Sequence, residues 1–249
     1  MLKSFTQAAA DYCAAAKNRT RQSVPRLLIL GILAGMFIAL AGTAASVGGA
    51  LAGKIASAAI FPAGLAMVIL AGSELFTGNC LFLLPLLRGD ITGGRTMGSW
   101  AIVYCGNLIG SIVIAFVVVR CGVLDSIAPA AIATAAAKAS LPFGAAFLRG
   151  VLCNLLVCLA VWMAFCAGSA GGKVISLYGP IFLFVLCGFE HSIANMTIIG
   201  TALLNTTQDV TLSGYVWNLV FVTLGNMVGG TVFVALPYHL VAQEGQKVG

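Results

Sequence analysis

Three ionisable residues lie inside long apolar stretches of this sequence. His191 directly follows Glu190, and Glu74 lies in an earlier stretch of similar length. An imidazole beside a carboxylate can hold and transfer a proton, and ionisable groups within a membrane span are costly and typically mark a transport pathway. A lone buried histidine is more often an ordinary hydrogen-bonded core residue. Its place next to Glu190, in a stretch that reads as an interrupted helix, favours the interpretation that His191 lines a pore.

The composition indicates that lipid surrounds most of the chain. Of the 249 residues, 60% are hydrophobic and 8% are charged, whereas a soluble domain carries about 25% charged residues. The apolar runs are long enough to cross a bilayer as helices and too long for barrel strands. The sequence therefore predicts an all-α membrane protein with a single transmembrane channel domain over residues 1–249. It contains no cleavable signal peptide, no nucleotide-binding loop and no cysteine or histidine spacing for a metal, so we expect no cofactor.

Six transmembrane helices are predicted after a cytoplasmic amphipathic helix within residues 1–24. The predicted spans cover residues 27–46, 55–87, 97–119, 143–168, 174–204 and 213–238. The second and fifth stretches are much longer than the roughly 20 residues that a crossing needs. Gly72, Gly78 and Pro62 favour a broken helix in the second stretch, because glycine and proline weaken helical hydrogen bonding. Residues 121–141, which are mostly small, are predicted to form a loop.

The two long stretches resemble each other, which indicates an internal repeat. Gly72-Ser-Glu-Leu-Phe-Thr-Gly-Asn79 aligns with Gly188-Phe-Glu-His-Ser-Ile-Ala-Asn195, and Gly106-Asn-Leu-Ile-Gly110 aligns with Gly225-Asn-Met-Val-Gly229. Each half holds three crossings, an odd number, so the second half inserts upside down relative to the first. We predict an inverted repeat of residues 25–120 and 142–240, with the permeation site at the interrupted helices.

The repeat places Glu74 and Glu190 at equivalent positions. A carboxylate in the bilayer core must be paired or hydrogen-bonded. In one interpretation, both carboxylates are exposed in the pore. In the other, each carboxylate accepts hydrogen bonds from backbone N–H groups that are freed at its broken helix. We favour the second interpretation, because carboxylates lining the pore would repel an anion. Asn154 could hydrogen-bond Glu190 or His191, or merely join helices. Thr77 could donate its hydroxyl to a passing ion, or bond to the preceding helical turn.

The positive charges predict the orientation of the chain. The net charge of +6 would suggest a nucleic-acid partner in a soluble protein, but here the positive-inside rule accounts for it. With a cytoplasmic N-terminus, nine basic residues are cytoplasmic (Lys3, Lys17, Arg19, Arg21, Arg26, Arg88, Arg95, Lys173 and Lys247) and four are outside (Lys54, Arg120, Lys138 and Arg149). Both termini are therefore expected in the cytoplasm, with the chain in the cell membrane.

Four strings of the sequence closely resemble signatures of the formate/nitrite transporter family. They are Phe61-Pro-Ala-Gly-Leu65, Gly72-Ser-Glu-Leu-Phe-Thr-Gly-Asn79, Cys153-Asn-Leu-Leu-Val-Cys-Leu-Ala-Val-Trp162 and Gly188-Phe-Glu-His-Ser-Ile-Ala-Asn-Met196. The resemblance runs from about residue 10 to residue 240. It implies an aquaporin-like fold with broken helices two and five, and a homopentamer in which every protomer has its own pore.

The resemblance also implies roles for the residues singled out above. Leu75 with Phe61, Leu65 and Phe184 are expected to form two hydrophobic constrictions, and Thr77 and His191 are expected to face the chamber between them. Lys138 is the expected vestibule cation. Glu190 and Asn154 are expected to support the histidine. The expected cargo is a small monovalent weak-acid anion, namely formate, nitrite or hydrosulfide, passing in a pH-dependent manner. The Glu-Leu-Phe-Thr-Gly-Asn string departs from the Asp-Leu-Phe-Thr-Ser form associated with formate channels, which leaves nitrite and hydrosulfide open.

Two other classes of function compete with this interpretation. An aquaporin-like channel for neutral solutes shares the repeat logic, but it would carry paired Asn-Pro-Ala motifs at the interruptions, and neither is present. An intramembrane enzyme using His191 and Glu190 as acid and base would need a nucleophile or metal ligands nearby. Only one histidine lies in a span, so we expect that the protein is not an enzyme.

Overall fold

A computed structural model of the protein describes residues 3–205 and 209–247, the last four of these through their backbone only. The ends of the predicted domain at residues 1 and 249, and the side chain of Lys247, lie outside the described residues. Twelve α-helices are found in these ranges: α1 (Phe5–Arg19), α2 (Val24–Ile60), α3 (Pro62–Leu70), α4 (Phe76–Asn79), α5 (Leu83–Leu87), α6 (Gly93–Arg120), α7 (Ala128–Ala139), α8 (Phe143–Cys166), α9 (Ala170–Cys187), α10 (Ser192–Leu204), α11 (Leu212–Gly230) and α12 (Leu236–Lys247).

The prediction of an all-helical membrane protein is confirmed. Five helical segments of the described chain are long and apolar enough to cross a membrane, and two shorter apolar segments accompany them. The five are Val24–Leu70, Gly93–Arg120, Phe143–Cys166, Ala170–Cys187 and Leu212–Gln243, and the two are Phe76–Leu87 and Ser192–Leu204. The count of six crossings stays a prediction.

Helical structure stops and restarts within both long apolar stretches. In the first, α3 ends at Leu70 and α4 begins at Phe76; in the second, α9 ends at Cys187 and α10 begins at Ser192. Gly72 and Gly188 adopt left-handed backbone angles, each with φ of 72°, which glycine adopts without the steric cost of a side chain. The segments Ala71–Leu75 and Gly188–His191 are called the first and second break below.

Of the other two residues expected to interrupt the second stretch, Pro62 lies at a helix boundary. Helix α2 ends at Ile60, and Pro62 is the first residue of α3, where proline is tolerated because that N–H has no helical partner. Gly78 interrupts no helix, since it lies inside α4. A further interruption occurs at Gly53, whose φ of 83° is non-helical and divides α2 before the second stretch begins.

The prediction of a loop over residues 121–141 is wrong, because α7 occupies residues Ala128–Ala139. Alanine has the highest helix propensity of all residues, and Pro129 near the start of α7 suits a first helical turn. Small side chains were therefore a helix signal here. The predicted N-terminal helix is present as α1 and runs to Arg19.

The two halves of the chain have the same order of elements. The helices α2 and α8 begin 119 residues apart, at Val24 and Phe143, and α6 and α11 also begin 119 residues apart. Each pair, α2 with α6 and α8 with α11, packs through glycines. A Cβ atom on Gly110 would strike the carbonyl oxygen of Ile32, and one on Gly229 would strike that of Val151. These contacts bring the backbones of the paired helices close together.

Candidate functional site

Each break is held by one asparagine from a neighbouring helix. Asn107 of α6 accepts the Phe76 N–H through Oδ1 at 2.9 Å, and its Nδ2 donates to the carbonyl oxygens of Gly31 and Glu74 at 2.8 and 3.0 Å. One fully buried side chain thus bonds two backbone groups at the first break and joins them to the backbone of α2. Since unpaired backbone groups are costly in a membrane interior, Asn107 makes this interruption tolerable.

Asn226 of α11 does the same at the second break. Its Oδ1 accepts the Ser192 N–H at 2.9 Å, and its Nδ2 donates to the carbonyl oxygens of Gly150 and Glu190 at 2.8 and 2.9 Å. The prediction that Glu74 and Glu190 satisfy the freed backbone N–H groups is therefore wrong. Both asparagines belong to the Gly-Asn-x-x-Gly strings that revealed the repeat, but the sequence assigned them no role.

The Glu74 carboxylate pairs with an arginine of the N-terminal helix. Arg19 donates through Nε and Nη2 to the two oxygens of Glu74 at 2.6 and 2.5 Å. Asn79 donates its Nδ2 to Glu74 at 2.9 Å and accepts from Arg19 Nη2 at 2.7 Å. These three residues are called the first triad. Glu74 is only 3% exposed, so the arginine supplies the counter-charge that burial requires.

The Glu190 carboxylate has an equivalent set of partners. Lys138 of α7 donates its Nζ to the two oxygens of Glu190 at 2.9 and 3.0 Å, and Asn195 donates its Nδ2 to Glu190 at 2.6 Å. Lys138, Glu190 and Asn195 are called the second triad. Lys138 follows Arg19 by 119 residues, the offset that relates the helix starts. The repeat therefore extends upstream of its predicted bounds and includes α1 and α7.

Each triad borders a cavity. The Lys138 cavity, of about 430 Å³, is lined by Lys138 and Asn195 and also by Phe61, Phe184 and His191. The Arg19 cavity, of about 310 Å³, is lined by the whole first triad and by Leu65 and Leu75. The four residues expected to form constrictions thus divide into two pairs, with the phenylalanines at one cavity and the leucines at the other.

Both pairs are buried and apolar. The rings of Phe61 and Phe184 meet edge to face with centroids 5.4 Å apart, and the His191 ring stacks on Phe184 at 5.9 Å. Phe61, Phe184, Leu65 and Leu75 are each at most 5% exposed. An ion passing from one cavity to the other would have to lose its water between these side chains.

Thr77 and His191 are hydrogen-bonded to each other across the two breaks. Thr77 Oγ1 lies 3.0 Å from His191 Nε2, and His191 Nδ1 accepts the Ala194 N–H at 3.1 Å as the N-cap of α10. Because Nδ1 accepts, the proton of the neutral ring must be on Nε2, which donates to Thr77. Protonation of Nδ1 would break the cap at a helix N-terminus, where a positive charge is already disfavoured.

Of the two interpretations of Asn154, a bond to Glu190 or His191 is wrong, and the alternative, that it joins helices, agrees with the structure. Its Nδ2 donates instead to the carbonyl oxygens of Thr77 and Asn226, at 3.1 and 2.6 Å. Cys158 also donates to the Thr77 carbonyl, at 3.3 Å. Asn154 finds room because residue 230 is glycine, where a Cβ would lie 2.7 Å from Asn154 Nδ2. Asn154 therefore ties the first break to the asparagine that holds the second.

The described residues contain no group of three or more histidine, cysteine, aspartate or glutamate side chains placed to bind a metal. All eight cysteines are free. Arg19 is the site residue that sequence reasoning missed most plainly, because it was counted only within a basic cluster. The offset of 119 residues from Lys138 is the signal that could have found it.

Comparisons with known proteins agree on one family. Residues 6–240 match the family described as formate/nitrite transporter. A probable formate transporter of Methanothermobacter thermautotrophicus is 38% identical, over 95% of this chain and 96% of its own length. The nitrite transporter NirC of Escherichia coli is also 38% identical, over 76% of this chain and 72% of its own length.

Solved structures are similar over nearly the whole chain. An FNT family ion channel has a TM-score of 0.89 at 32% identity and covers 95% of this chain and 99% of its own. A pentameric formate channel with formate bound has a TM-score of 0.78 at 32% identity and covers 88% of this chain and 98% of its own. These relatives are named as transporters and channels, which confirms that the chain is not an enzyme.

Proposed function

This chain belongs to the formate/nitrite transporter family, and on that premise we propose that it is a pH-dependent membrane channel for small monovalent weak-acid anions. The observation that carries the proposal is the pair of cavities, each beside a buried carboxylate–cation pair and separated by apolar side chains around Thr77 and His191. Formate, nitrite and hydrosulfide are the candidate anions. The names of the relatives, which include a formate and a nitrite transporter, support the first two.

The cations account for the capture of anions. Lys138 and Arg19 border opposite cavities, and a charge at the mouth of a cleft raises the local concentration of ions of opposite sign. Lys138 is the vestibule residue in this proposal. Glu190 and Glu74 hold the two cations in place and do not bind the anion themselves. Lys54 and Lys173 add positive charge to the linings of the Lys138 and Arg19 cavities, respectively.

The apolar pairs account for the need of a proton. A bare anion between Phe61 and Phe184, or between Leu65 and Leu75, loses hydration that these side chains cannot replace. A weak acid avoids most of that cost by crossing in its neutral form. The Nε2–H of a neutral His191 and the hydroxyl of Thr77 then offer hydrogen bonds in the central chamber, while Asn154 keeps Thr77 in position. This gives every predicted site residue a role.

The proposal includes the assembly and the orientation of the chain. We place it in the cell membrane as a multi-pass homopentamer with one pore per protomer and both termini in the cytoplasm. The pentameric state of a similar formate channel supports this assembly. In this orientation the Arg19 cavity opens to the cytoplasm and the Lys138 cavity opens to the outside.

Flux measurements in liposomes test the function. The purified protein should pass formate, nitrite or hydrosulfide faster than chloride at pH values on either side of 6.5, with a rate that depends on pH. His191→Phe, if it assembles normally, should slow the flux of the weak acids, because the chamber loses the Nε2–H donor. An unchanged flux would remove His191 from the mechanism. Passage of water or glycerol without any of these anions would favour the aquaporin-like alternative.

A further inference from the structure

The two triads differ in one hydrogen bond. In the first triad, the oxygen of Asn79 accepts from Arg19 Nη2 at 2.7 Å. In the second triad, the equivalent oxygen of Asn195 is buried and has no hydrogen-bond partner among the described residues. The orientation of the Asn195 amide follows from its network, since Nδ2 donates to two acceptors, Glu190 at 2.6 Å and Asn218 at 2.8 Å. A buried acceptor without a partner is costly, so this oxygen calls for a donor.

The missing donor follows from the chemistry of the two cations. A guanidinium presents several N–H groups in a planar fork, so Arg19 reaches the carboxylate and the amide oxygen together. An ammonium is a compact charge with three N–H groups, and the contacts of Lys138 Nζ among the described residues are both to Glu190. Lys138 therefore pairs with the carboxylate and keeps one N–H available, and the Asn195 oxygen is left without a hydrogen-bond donor.

The unpaired Asn195 oxygen belongs to a residue that lines the Lys138 cavity. Lys138 and Asn195 both line that cavity, and both contact the same oxygen, Oε2 of Glu190. In the first triad, the donor to the equivalent Asn79 oxygen is Arg19, which lines the Arg19 cavity. The repeat thus places the unpaired Asn195 oxygen beside the Lys138 cavity, with the Asn195 oxygen as an acceptor and the remaining N–H of Lys138 as a donor.

We propose that the second triad is a two-point binding site for the protonated form of a small oxyacid. The acid donates its O–H to Asn195 Oδ1, and its second oxygen accepts an N–H of Lys138. Formic acid and nitrous acid both carry an O–H and a second oxygen on the same central atom. This site rests on the proposed function, and it narrows the cargo from weak-acid anions in general to oxyacids.

The same geometry discriminates against other small anions. Chloride has no hydrogen-bond donor, and hydrogen sulfide offers only a weak S–H donor and a weak sulfur acceptor, so it should satisfy the Asn195 oxygen and the Lys138 N–H less well than an oxyacid does. Sites that hydrogen-bond a substrate group reject analogues lacking that group, because their own polar atoms are then left unpaired. Asn195 has essentially no exposed surface, whereas Lys138 is 18% exposed in its side chain. An acid that approaches from the cavity therefore meets the Lys138 side chain before the Asn195 amide.

Lys138→Arg is the decisive variant, because it converts the second triad into a copy of the first. The new guanidinium should pair with Glu190 and also fill the Asn195 oxygen, while the charge of the cavity is retained. We expect the half-saturation concentration for formate, divided by that for hydrosulfide, to rise about fivefold, the worth of one hydrogen bond. Lys17→Arg makes the same exchange at an exposed lysine that lines neither cavity, and it should leave this ratio unaltered.

The unmodified protein provides a second measurement. Formamide carries both a donor and an acceptor in the arrangement of formic acid, whereas methyl formate has no donor. External formamide should inhibit formate flux at concentrations at which methyl formate does not. Formate flux with the same half-saturation ratio in Lys138→Arg, or equal inhibition by the two neutral compounds, would overturn the two-point site.

The controls separate this site from the function on which it rests. If Lys138→Arg does not assemble, the comparison of formamide with methyl formate decides the question alone. If the unmodified protein passes none of the weak-acid anions, the proposed function fails and the site fails with it. If formate passes but either measurement lacks the expected preference, the function stands and the site is refuted.

Discussion

At the scale of single residues, polar side chains do two separate jobs at the breaks. Asn107 and Asn226 satisfy backbone groups, and the two triads neutralise carboxylates. The division follows from their chemistry. An amide offers both a donor and an acceptor and carries no charge, so it can serve N–H and C=O groups together without needing a counter-ion. An ionised carboxylate can only accept hydrogen bonds and carries a negative charge, so a buried carboxylate needs a cation beside it.

Asn226→Ala should destabilise the protein far more than its size suggests. The Ser192 N–H and the Glu190 carbonyl at the break would lose their partner, at about 1–3 kcal/mol for each group, whereas the Gly150 carbonyl lies within α8. We expect a loss of at least about 2 kcal/mol, seen as a lower temperature of unfolding of the detergent-solubilised protein. The matched change Asn18→Ala, at an exposed asparagine, should leave that temperature nearly unaltered. Equal effects of the two substitutions would contradict the capping role.

The Arg19–Glu74 pair should show strong coupling. Arg19→Gln leaves a carboxylate that is 3% exposed without its cation, and losing one partner of a buried pair typically costs about 3–5 kcal/mol. The double variant Arg19→Gln/Glu74→Gln removes the stranded charge and should recover much of that loss. Stability measurements on the two single variants and the double variant form a complete thermodynamic cycle. A double variant as unstable as the sum of the single ones would show that the pair is not coupled.

At the scale of elements, the long apolar helices could be predicted because hydrophobic length alone identifies them. The division of roles between the asparagines and the glutamates could not be predicted. The bonds of the two asparagines join residues 31 to 76 positions apart, and the two cations lie 55 and 52 positions from their glutamates. The helix α7 was missed since its alanines were read as loop residues. Had Arg19 and Lys138 been aligned at the offset of the Gly-Asn strings, the sequence would have indicated both α7 and the first triad.

Glycine contacts set how closely the helix pairs approach. In α6, a Cβ on Gly110 would strike backbone atoms of α2, whereas a Cβ on Gly98 would meet nothing within 4 Å. We expect Gly110→Ala to force the helices apart and to reduce the yield of folded protein, at a cost of about 1–3 kcal/mol or more. Gly98→Ala should be neutral or stabilising by up to about 1 kcal/mol. Size-exclusion profiles and unfolding temperatures distinguish the two, and equal behaviour would refute the close packing.

At the scale of the whole molecule, the described surface carries many exposed apolar side chains on the long helices. Lipid covers some of this surface, and in the proposed pentamer neighbouring protomers cover the rest. Light scattering of the detergent-solubilised protein should therefore give a protein mass five times that of the 25.5 kDa chain. A mass of one or two chains in mild detergent, with flux intact, would contradict the assembly.

Cysteine labelling tests the orientation. Cys121 directly follows α6 and is exposed, and the proposed topology places it outside the cell. A membrane-impermeant maleimide should label the protein in intact spheroplasts, and Cys121→Ser should remove most of that label. Labelling of Cys121 only after permeabilisation would reverse the orientation of the whole chain.

The placement of Arg19 and Lys138 at the offset of the repeat has a consequence for biogenesis. Each carboxylate finds its cation within its own half of the chain, from a helix made before the spans it serves. A ribosome therefore delivers the counter-charge first and the buried acid afterwards, in both halves. The buried carboxylate of each half can therefore be neutralised before the other half is present. A single ancestral half, inserted in both orientations, would already have had neutral pairs on which gene duplication could build.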